Sequence, residues 1–139
     1  MSHAPQRPRV MHVVVAGEIG GAERLLSELA TRPEATGADH EVALMTPNPA
    51  LAAYFGAAGL VVHHRGATRE GPLEYLRRAF GAADVGWLIG VLRERRAGIV
   101  HTHTLGSHVV GTRAARAARV PQVRTEHHVM HYQDPSSNP

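Results

Sequence analysis

The sequence contains no cysteine, which excludes disulfide bonds, zinc–thiolate sites and thiol nucleophiles. Lysine is absent too: all 15 basic residues are arginine, so the lysine-containing phosphate loop G-x-x-x-x-G-K-[ST] cannot occur. Neither the dinucleotide fingerprint G-x-G-x-x-G nor the nucleophile elbow G-x-S-x-G is present.

Aromatic residues are scarce as well, at 4%, and the arginines are dispersed along the chain. A nucleic-acid-binding protein usually concentrates positive charge on one face and adds aromatic stacking, so no nucleic-acid partner is expected. No apolar run approaches the roughly 20 residues of a membrane helix. The first apolar run is soon broken by Gly17 and Glu18, which argues against a signal peptide. We therefore expect a cytoplasmic protein whose contact with membranes is at most peripheral.

The 139 residues suit one compact domain, and 43% hydrophobic with 19% charged residues is typical of a globular chain. Residues 1–9 include two prolines and show no periodicity, which predicts a flexible tail. Residues 10–126 carry the periodic segments and form the predicted domain. Residues 127–139 are expected to be a second tail or the start of a further segment.

Short β-branched runs and helical patterns alternate throughout the predicted domain. The predicted strands are Val10–Ala16, Glu41–Met45, Leu60–His63, Ile99–His103 and Gln122–Thr125. The predicted helices are Ala22–Ala30, Ala50–Ala58, Leu73–Arg96 with a break near Gly81 or Gly86, and Ser107–Arg119. Right-handed crossovers then give an α/β fold with a doubly wound, Rossmann-like parallel sheet, strand order 3-2-1-4-5 and helices on both faces.

Ligands of such a sheet bind beyond the carboxyl ends of the strands, where the strand order reverses. Here that point lies between the first and fourth strands, with the end of the fifth strand beside it. The candidate site residues at this edge are Glu18, Gly20, Gly21, His101, His103, Thr104, Ser107, Glu126, His127 and His128.

Gly20 and Gly21 open the first helix, whose first-turn N–H groups favour an anion. Without a Cβ atom, this loop lets backbone come close to a ligand. A tight turn from strand to helix could equally require glycine for its own geometry. Both interpretations stand at the level of sequence.

His101 and His103 alternate along one strand, so their imidazoles are predicted to lie on the same side of the sheet. Such a pair could bind a metal ion if Glu126, His127 or His128 completed the ligand set. In the simplest alternative, His101 packs within the sheet and a histidine at the edge makes an ordinary hydrogen bond. The interpretation we favour is that His103 makes a polar contact with a bound ligand.

Ser107 is expected to open and cap the helix after the fourth strand, which explains it without a nucleophilic role. A hydrolase with paired carboxylates is poorly supported. Glu126 is the one acidic residue predicted at this edge besides Glu18 and Glu23, and no feature fixes two of them at a defined separation.

Three segments in this order and spacing carry a resemblance: VVVAGEIGGAERLLSELA, EVALMTPNP and AGIVHTHTLGSHVVGTRAARAARVPQVRTEHH. Together they resemble the amino-terminal domain of a family-4 glycosyltransferase of GT-B fold, over about residues 10–128. The resemblance implies an enzyme of two domains that transfers a sugar from a nucleoside-diphosphate sugar with retention of configuration. It also implies that no cofactor or essential metal is needed, and that the amino-terminal domain mainly binds the acceptor.

By the same resemblance, Gly20 and Gly21 match the loop that approaches the donor phosphates. His103 matches a histidine near the transferred sugar and is the candidate catalytic residue. The other candidates would line the cleft or contact a small-molecule or lipid-linked acceptor: Glu18, His101, Thr104, Ser107, Glu126, His127 and His128.

The donor-binding domain of the family, with its characteristic pair of glutamates, has no counterpart in these 139 residues. The chain is therefore expected to be an incomplete amino-terminal domain that is inactive alone and whose partner is the missing carboxy-terminal domain. An uncovered fifth strand would favour a homodimer through its edge. The alternative functions are a stand-alone module that binds a nucleotide or sugar phosphate and, less favoured, a small metal-dependent hydrolase.

Overall fold

The computed structural model describes residues 5–15, 18–46, 48–65, 72–73 and 82–126. Its strands are β1 (Arg9–Val14), β2 (Asp39–Leu44), β3 (Val61–His64), β4 (Ile99–Thr102) and β5 (Gln122–Arg124). All neighbours pair in parallel, in the order β3-β2-β1-β4-β5. The predicted fold class and strand order are confirmed.

The helices within the described ranges are α1 (Gly21–Ala30), α2 (Pro33–Thr36), α3 (Pro49–Ala57), α4 (Ala82–Glu94) and α5 (Leu105–Ala118). None of them is both long and apolar enough to cross a membrane. Helix α2 was not predicted. It is a single turn with Pro33 in its first position, and Gly37 ends it with a φ of 67°.

Helices cover both faces of the sheet, because alternate residues of each buried strand point to opposite sides. On one side, which we call the α1/α3 face, the core contains Val14, Leu26, Val42, Leu44, Leu51 and Phe55. On the other, the α4/α5 face, it contains Met11, Val13, Ala43, Leu88, Leu92, Val100 and Ala114. The predicted two-sided arrangement of helices is therefore confirmed.

Helix α4 runs without interruption through Gly86, so the break suggested there is wrong, while Gly81 lies outside the described residues. A glycine inside a helix costs only about 1 kcal/mol relative to alanine. The buried row of Val85, Leu88 and Leu92 offsets that cost through packing. The helix ends at Glu94 rather than Arg96, whose φ of 52° is left-handed.

Strand β1 begins at Arg9, inside the segment predicted to be a tail. Arg9 pairs with Asp39 of β2, and its carbonyl accepts a hydrogen bond of 2.9 Å from Gly98 N–H. The Asp39 N–H donates to the Pro8 carbonyl at 3.0 Å. Backbone pairing with residues far along the chain therefore extends the strand beyond its apolar core.

A buried carboxylate, Glu41, ties the amino-terminal half of the sheet together on the α4/α5 face. Arg95 donates two hydrogen bonds to it, at 2.7 and 3.0 Å. His63 Nε2 lies 2.8 Å and Arg9 Nε 3.1 Å from its oxygens. Burial acts to raise the pKa of Glu41, but the hydrogen bonds from Arg95 and His63 and the positive charges of Arg95 and Arg9 outweigh burial and lower it.

Candidate functional site

The carboxyl end of β1 and the first turn of α5 lie against each other. A Cβ atom built on Gly106 would be 3.3 Å from Val15 Cγ1, so these two segments are in close contact. Strand order reverses between β1 and β4 at this point. The end of β1 and the start of α5 therefore meet at the edge where the site was predicted.

Gly20 and Gly21 do not owe their presence to backbone conformation. Gly20 is extended, with φ −104° and ψ −164°, and Gly21 is the first residue of α1. A Cβ atom on Gly21 would meet nothing within 4 Å, whereas one on Gly20 would lie 3.1 Å from Glu23 Oε2. Neither position has the left-handed φ that favours glycine.

Glu23 is buried at the start of α1, and sequence analysis did not assign it a role there. Its Oε2 accepts a hydrogen bond of 2.8 Å from Gly20 N–H, the reciprocal half of a capping box. An acid three residues after an N-cap position is the signal that could have found it. The first intrahelical bond runs from Arg24 N–H to the Gly20 carbonyl, at 3.2 Å.

Ser107 caps α5 from inside the helix rather than from its first position. The helix begins at Leu105, two residues earlier than predicted, and Thr104 is its N-cap. Ser107 Oγ accepts hydrogen bonds of 2.9 Å from the N–H groups of both His103 and Thr104, and it donates to the Thr104 carbonyl at 2.9 Å. The buried hydroxyl is thus committed to the backbone, which agrees with the predicted capping role.

Four imidazoles gather on the α1/α3 face, and we call them the histidine cluster: His12, His40, His101 and His103. The rings of His101 and His103 lie 4.1 Å apart between centroids, on the same side of the sheet as predicted. His12 pairs with His101 in the β1–β4 register, and its Nδ1 lies 3.0 Å from His103 Nε2. Its Nε2 lies 2.8 Å from His40 Nδ1. His12 is therefore the centre of the cluster.

His12 stays neutral across the physiological range. Burial, followed by the charges that His103, His101 and His40 would carry, lowers the pKa of His12 to about 2. The pKa of His40 is lowered as well, because burial outweighs the attraction of Asp39. A neutral imidazole has one donor and one acceptor nitrogen, so the cluster can pass hydrogen bonds from ring to ring or offer lone pairs to a metal ion.

Sequence analysis missed His12 and His40. His12 sits inside the apolar run of β1 and His40 near the start of β2, far from the edge where the candidates were sought. Only the pairing of β1 with both of its neighbours brings these rings to His103. The periodicity of β1 places His12 on one face, but no local signal shows which residues share it.

Glu126 points to the other side of the sheet. Its Oε1 lies 3.3 Å from Nε2 of the buried His108 and accepts a hydrogen bond of 2.9 Å from Arg124. His108 Nδ1 lies in turn 2.6 Å from Thr102 Oγ1. His108 and Thr102 belong to the α4/α5 face, so the structure does not bring Glu126 to the histidine cluster. The position of His108 between Glu126 and Thr102 was not predicted.

The remaining candidates are less constrained. Glu18 is exposed in the loop after β1, and Thr104 is half-buried at the start of α5. Gly17, His127 and His128 lie outside the described residues. His101 Nε2 lies 2.7 Å from Thr125 Oγ1, which ties the end of β5 to the cluster.

Comparison with known proteins places this architecture in a family. Residues 19–139 match the model of Glycosyltransferase Family 4. A search of curated protein sequences finds no match.

Solved structures share the fold at low identity. A glycosyltransferase from Rickettsia africae is 20% identical over 94% of this chain, with a TM-score of 0.63. The lipopolysaccharide outer core galactosyltransferase WaaB is 16% identical over 86%, with a TM-score of 0.63, and MurG of Acinetobacter baumannii is 16% identical over 86%, with a TM-score of 0.60. The chain spans about a third of each: 32%, 32% and 35% of their lengths, respectively. By its family match over most of its length, the chain belongs to Glycosyltransferase Family 4.

Proposed function

We propose that this chain is the acceptor-side half of a retaining glycosyltransferase that transfers a sugar from a nucleoside-diphosphate sugar. A separate donor-binding domain would supply the other wall of the cleft. The observation that carries the proposal is the contact between the end of β1, at Val15, and the first turn of α5, at Gly106, where strand order reverses.

The start of α1 is proposed to contact the donor diphosphate. Its first-turn N–H groups precede the first intrahelical hydrogen bond and carry the positive end of the helix dipole. The space over Gly21 is open, so a phosphate oxygen can approach the backbone there. Neither glycine is required by its φ. Gly20 leaves room for the Glu23 carboxylate that caps the helix, and close approach of a ligand is the interpretation that accounts for Gly21.

His103 is proposed to lie next to the transferred sugar. Its N–H is held by Ser107 and its Nε2 by His12, so the residue is fixed at the carboxyl end of β4. Preorganised polar groups of this kind stabilise charge that develops on the leaving diphosphate. Glu18, His101 and Thr104 are proposed to face the acceptor, with no essential metal or cofactor.

Nuclear magnetic resonance titration of the 139-residue chain with UDP and GDP tests the donor contact. We expect weak, saturable shifts at the amides of Gly20, Gly21 and His103. The variant Gly21→Val should raise the dissociation constant obtained from these shifts at least tenfold. Gly90→Val also replaces a helical glycine in open space and should leave that constant unchanged.

A parallel assay with UDP- and GDP-sugars should give no turnover from the chain alone. Turnover would refute the proposal that this is half of a catalytic cleft. If the Gly21→Val variant showed the same shifts and the same affinity as the wild type, the proposed phosphate contact would be refuted. Tight, stoichiometric nucleotide in the purified protein would instead support a stand-alone binding module.

A further inference from the structure

Three rings of the histidine cluster converge on one point from two strands. A ring nitrogen of each of His12, His101 and His103 lies within 4.8 Å of the other two. We propose that these residues bind a single divalent transition-metal ion of the zinc type. The inference stands on this geometry and does not rest on the proposed sugar transfer.

The geometry needs little change to accept an ion. Zinc–nitrogen bonds of about 2.0–2.1 Å in a tetrahedral site place ligand nitrogens about 3.4 Å apart. His12 Nδ1 and His103 Nε2 are already 3.0 Å apart, so this pair would open slightly. The widest of the three pairs of nitrogens is at most 4.8 Å apart, so it would close by up to about 1.4 Å.

The donor set selects the class of metal. All three ligands are imidazole nitrogens, which suit Zn²⁺, Cu²⁺, Ni²⁺ and Co²⁺, whereas Mg²⁺ and Ca²⁺ require oxygen ligands. Three protein ligands leave a fourth position for water. His101 and Thr125 are only half-buried, so an ion can reach the site from solvent.

The surrounding groups orient the ligands as metal sites require. His12 Nε2 lies 2.8 Å from His40 Nδ1, and His40 Nε2 lies 2.8 Å from Thr36 Oγ1. If the proton of each of these two rings is on Nε2, His12 donates to His40 and His40 donates to Thr36. His12 Nδ1 then keeps its lone pair for the ion. Thr125 Oγ1, 2.7 Å from His101 Nε2, fixes the orientation of that ring.

Metal binding would have a structural consequence. It would join the middle of β1 to the carboxyl end of β4 and hold the His103 ring against the sheet. Because the ion would bind only the folded chain, it should raise the stability of the domain in proportion to its free concentration above the dissociation constant.

Isothermal titration of the wild-type chain with ZnCl₂, and its melting temperature with and without the ion, tests the proposal. We expect one ion per chain, a rise in melting temperature, and visible absorption typical of tetrahedral Co²⁺ when cobalt replaces zinc. MgCl₂ should produce none of these effects.

Variants locate the site. His101→Gln, at a half-buried position, should weaken zinc binding at least tenfold, and His12→Gln provides a second test from the other strand. His64→Gln, on the exposed end of β3, is the matched control and should bind as the wild type does. Unchanged affinity in a folded His101→Gln chain would overturn the proposal. So would loss of binding in the double variant His127→Gln/His128→Gln with His101 intact.

Discussion

The packing of α5 on the sheet leads to a prediction at Gly111. This glycine faces Thr102 of β4, and a Cβ atom built on it would lie 2.3 Å from Thr102 Cγ2. Carbon atoms in contact are normally about 3.5–4.0 Å apart, so the substitution Gly111→Ala must displace something by more than an ångström. Thr102 is fully buried and cannot move into solvent.

Two responses to Gly111→Ala are open, and both destabilise. Helix α5 can shift away from β4, an overpacking cost of about 1–3 kcal/mol. Alternatively Thr102 can rotate, which breaks its hydrogen bonds with His108 and Gln122, each worth about 1 kcal/mol. The helix propensity of alanine returns about 1 kcal/mol in either case. The net loss in the free energy of unfolding should be about 1 kcal/mol.

Urea denaturation and thermal melting measure that loss. For a chain of this size, about 1 kcal/mol corresponds to a fall in Tm of about 4 °C. Gly90→Ala on α4 is the matched control: its Cβ atom would meet nothing within 4 Å, so the same chemical change should stabilise by up to about 1 kcal/mol. If Gly111→Ala stabilised the chain as Gly90→Ala does, the close packing of α5 on Thr102 would be refuted.

Three further predictions concern acid stability, helix capping and association. Because folding lowers the pKa of Glu41, the ionised carboxylate stabilises the folded chain above pH 4.5, and this stabilisation is lost as the pH falls through the folded-state pKa. Glu41→Gln should therefore cost about 2 kcal/mol in urea denaturation at pH 7, with a difference from wild type that shrinks below pH 4.5; a difference independent of pH would contradict this. Ser107→Ala should lower the free energy of unfolding by about 1–2 kcal/mol through loss of the α5 cap, whereas an unchanged value would show that the cap is dispensable. Chains are expected to pair through β5, so Val123→Lys should reduce the dimer fraction in sedimentation velocity, and a wild-type chain that is monomeric at every concentration would exclude pairing.

The fold could be predicted because its determinants are local. The first four strands each contain a short apolar run, and each crossover contains a helix. Right-handed crossovers together with the ordinary doubly wound arrangement then give the observed order. Apart from the start of α4, which adjoins residues outside the described ranges, the predicted element bounds differ from the observed ones by at most two residues, where long-range pairing or capping decides the end. At α5, Thr104 and Ser107 both resemble caps, and the helix begins after Thr104 because Ser107 occupies the third helical position.

In the candidate site, too, the residues that one segment of sequence reveals could be predicted, and those that depend on strand pairing could not. The Gly20–Gly21 loop and the pair His101 and His103 could be predicted, because strand ends and alternation are readable in one segment. The centre of the cluster could not. His12 meets His103 and His40 only through the registers of β1 with β4 and of β1 with β2, which are properties of the folded sheet.

The position of His12 also bears on how the register of β1 is specified. Apolar residues fill both faces of this strand, so the apolar pattern alone would tolerate a shift by one residue. Such a shift would carry His12 to the α4/α5 face, into the apolar core and away from His40 and His103. A buried imidazole without hydrogen-bond partners costs about 1–3 kcal/mol, a large fraction of the stability of a small domain. The histidine that gives the cluster its centre thus also disfavours the competing alignment of the central strand, because its two ring nitrogens find partners in the observed register.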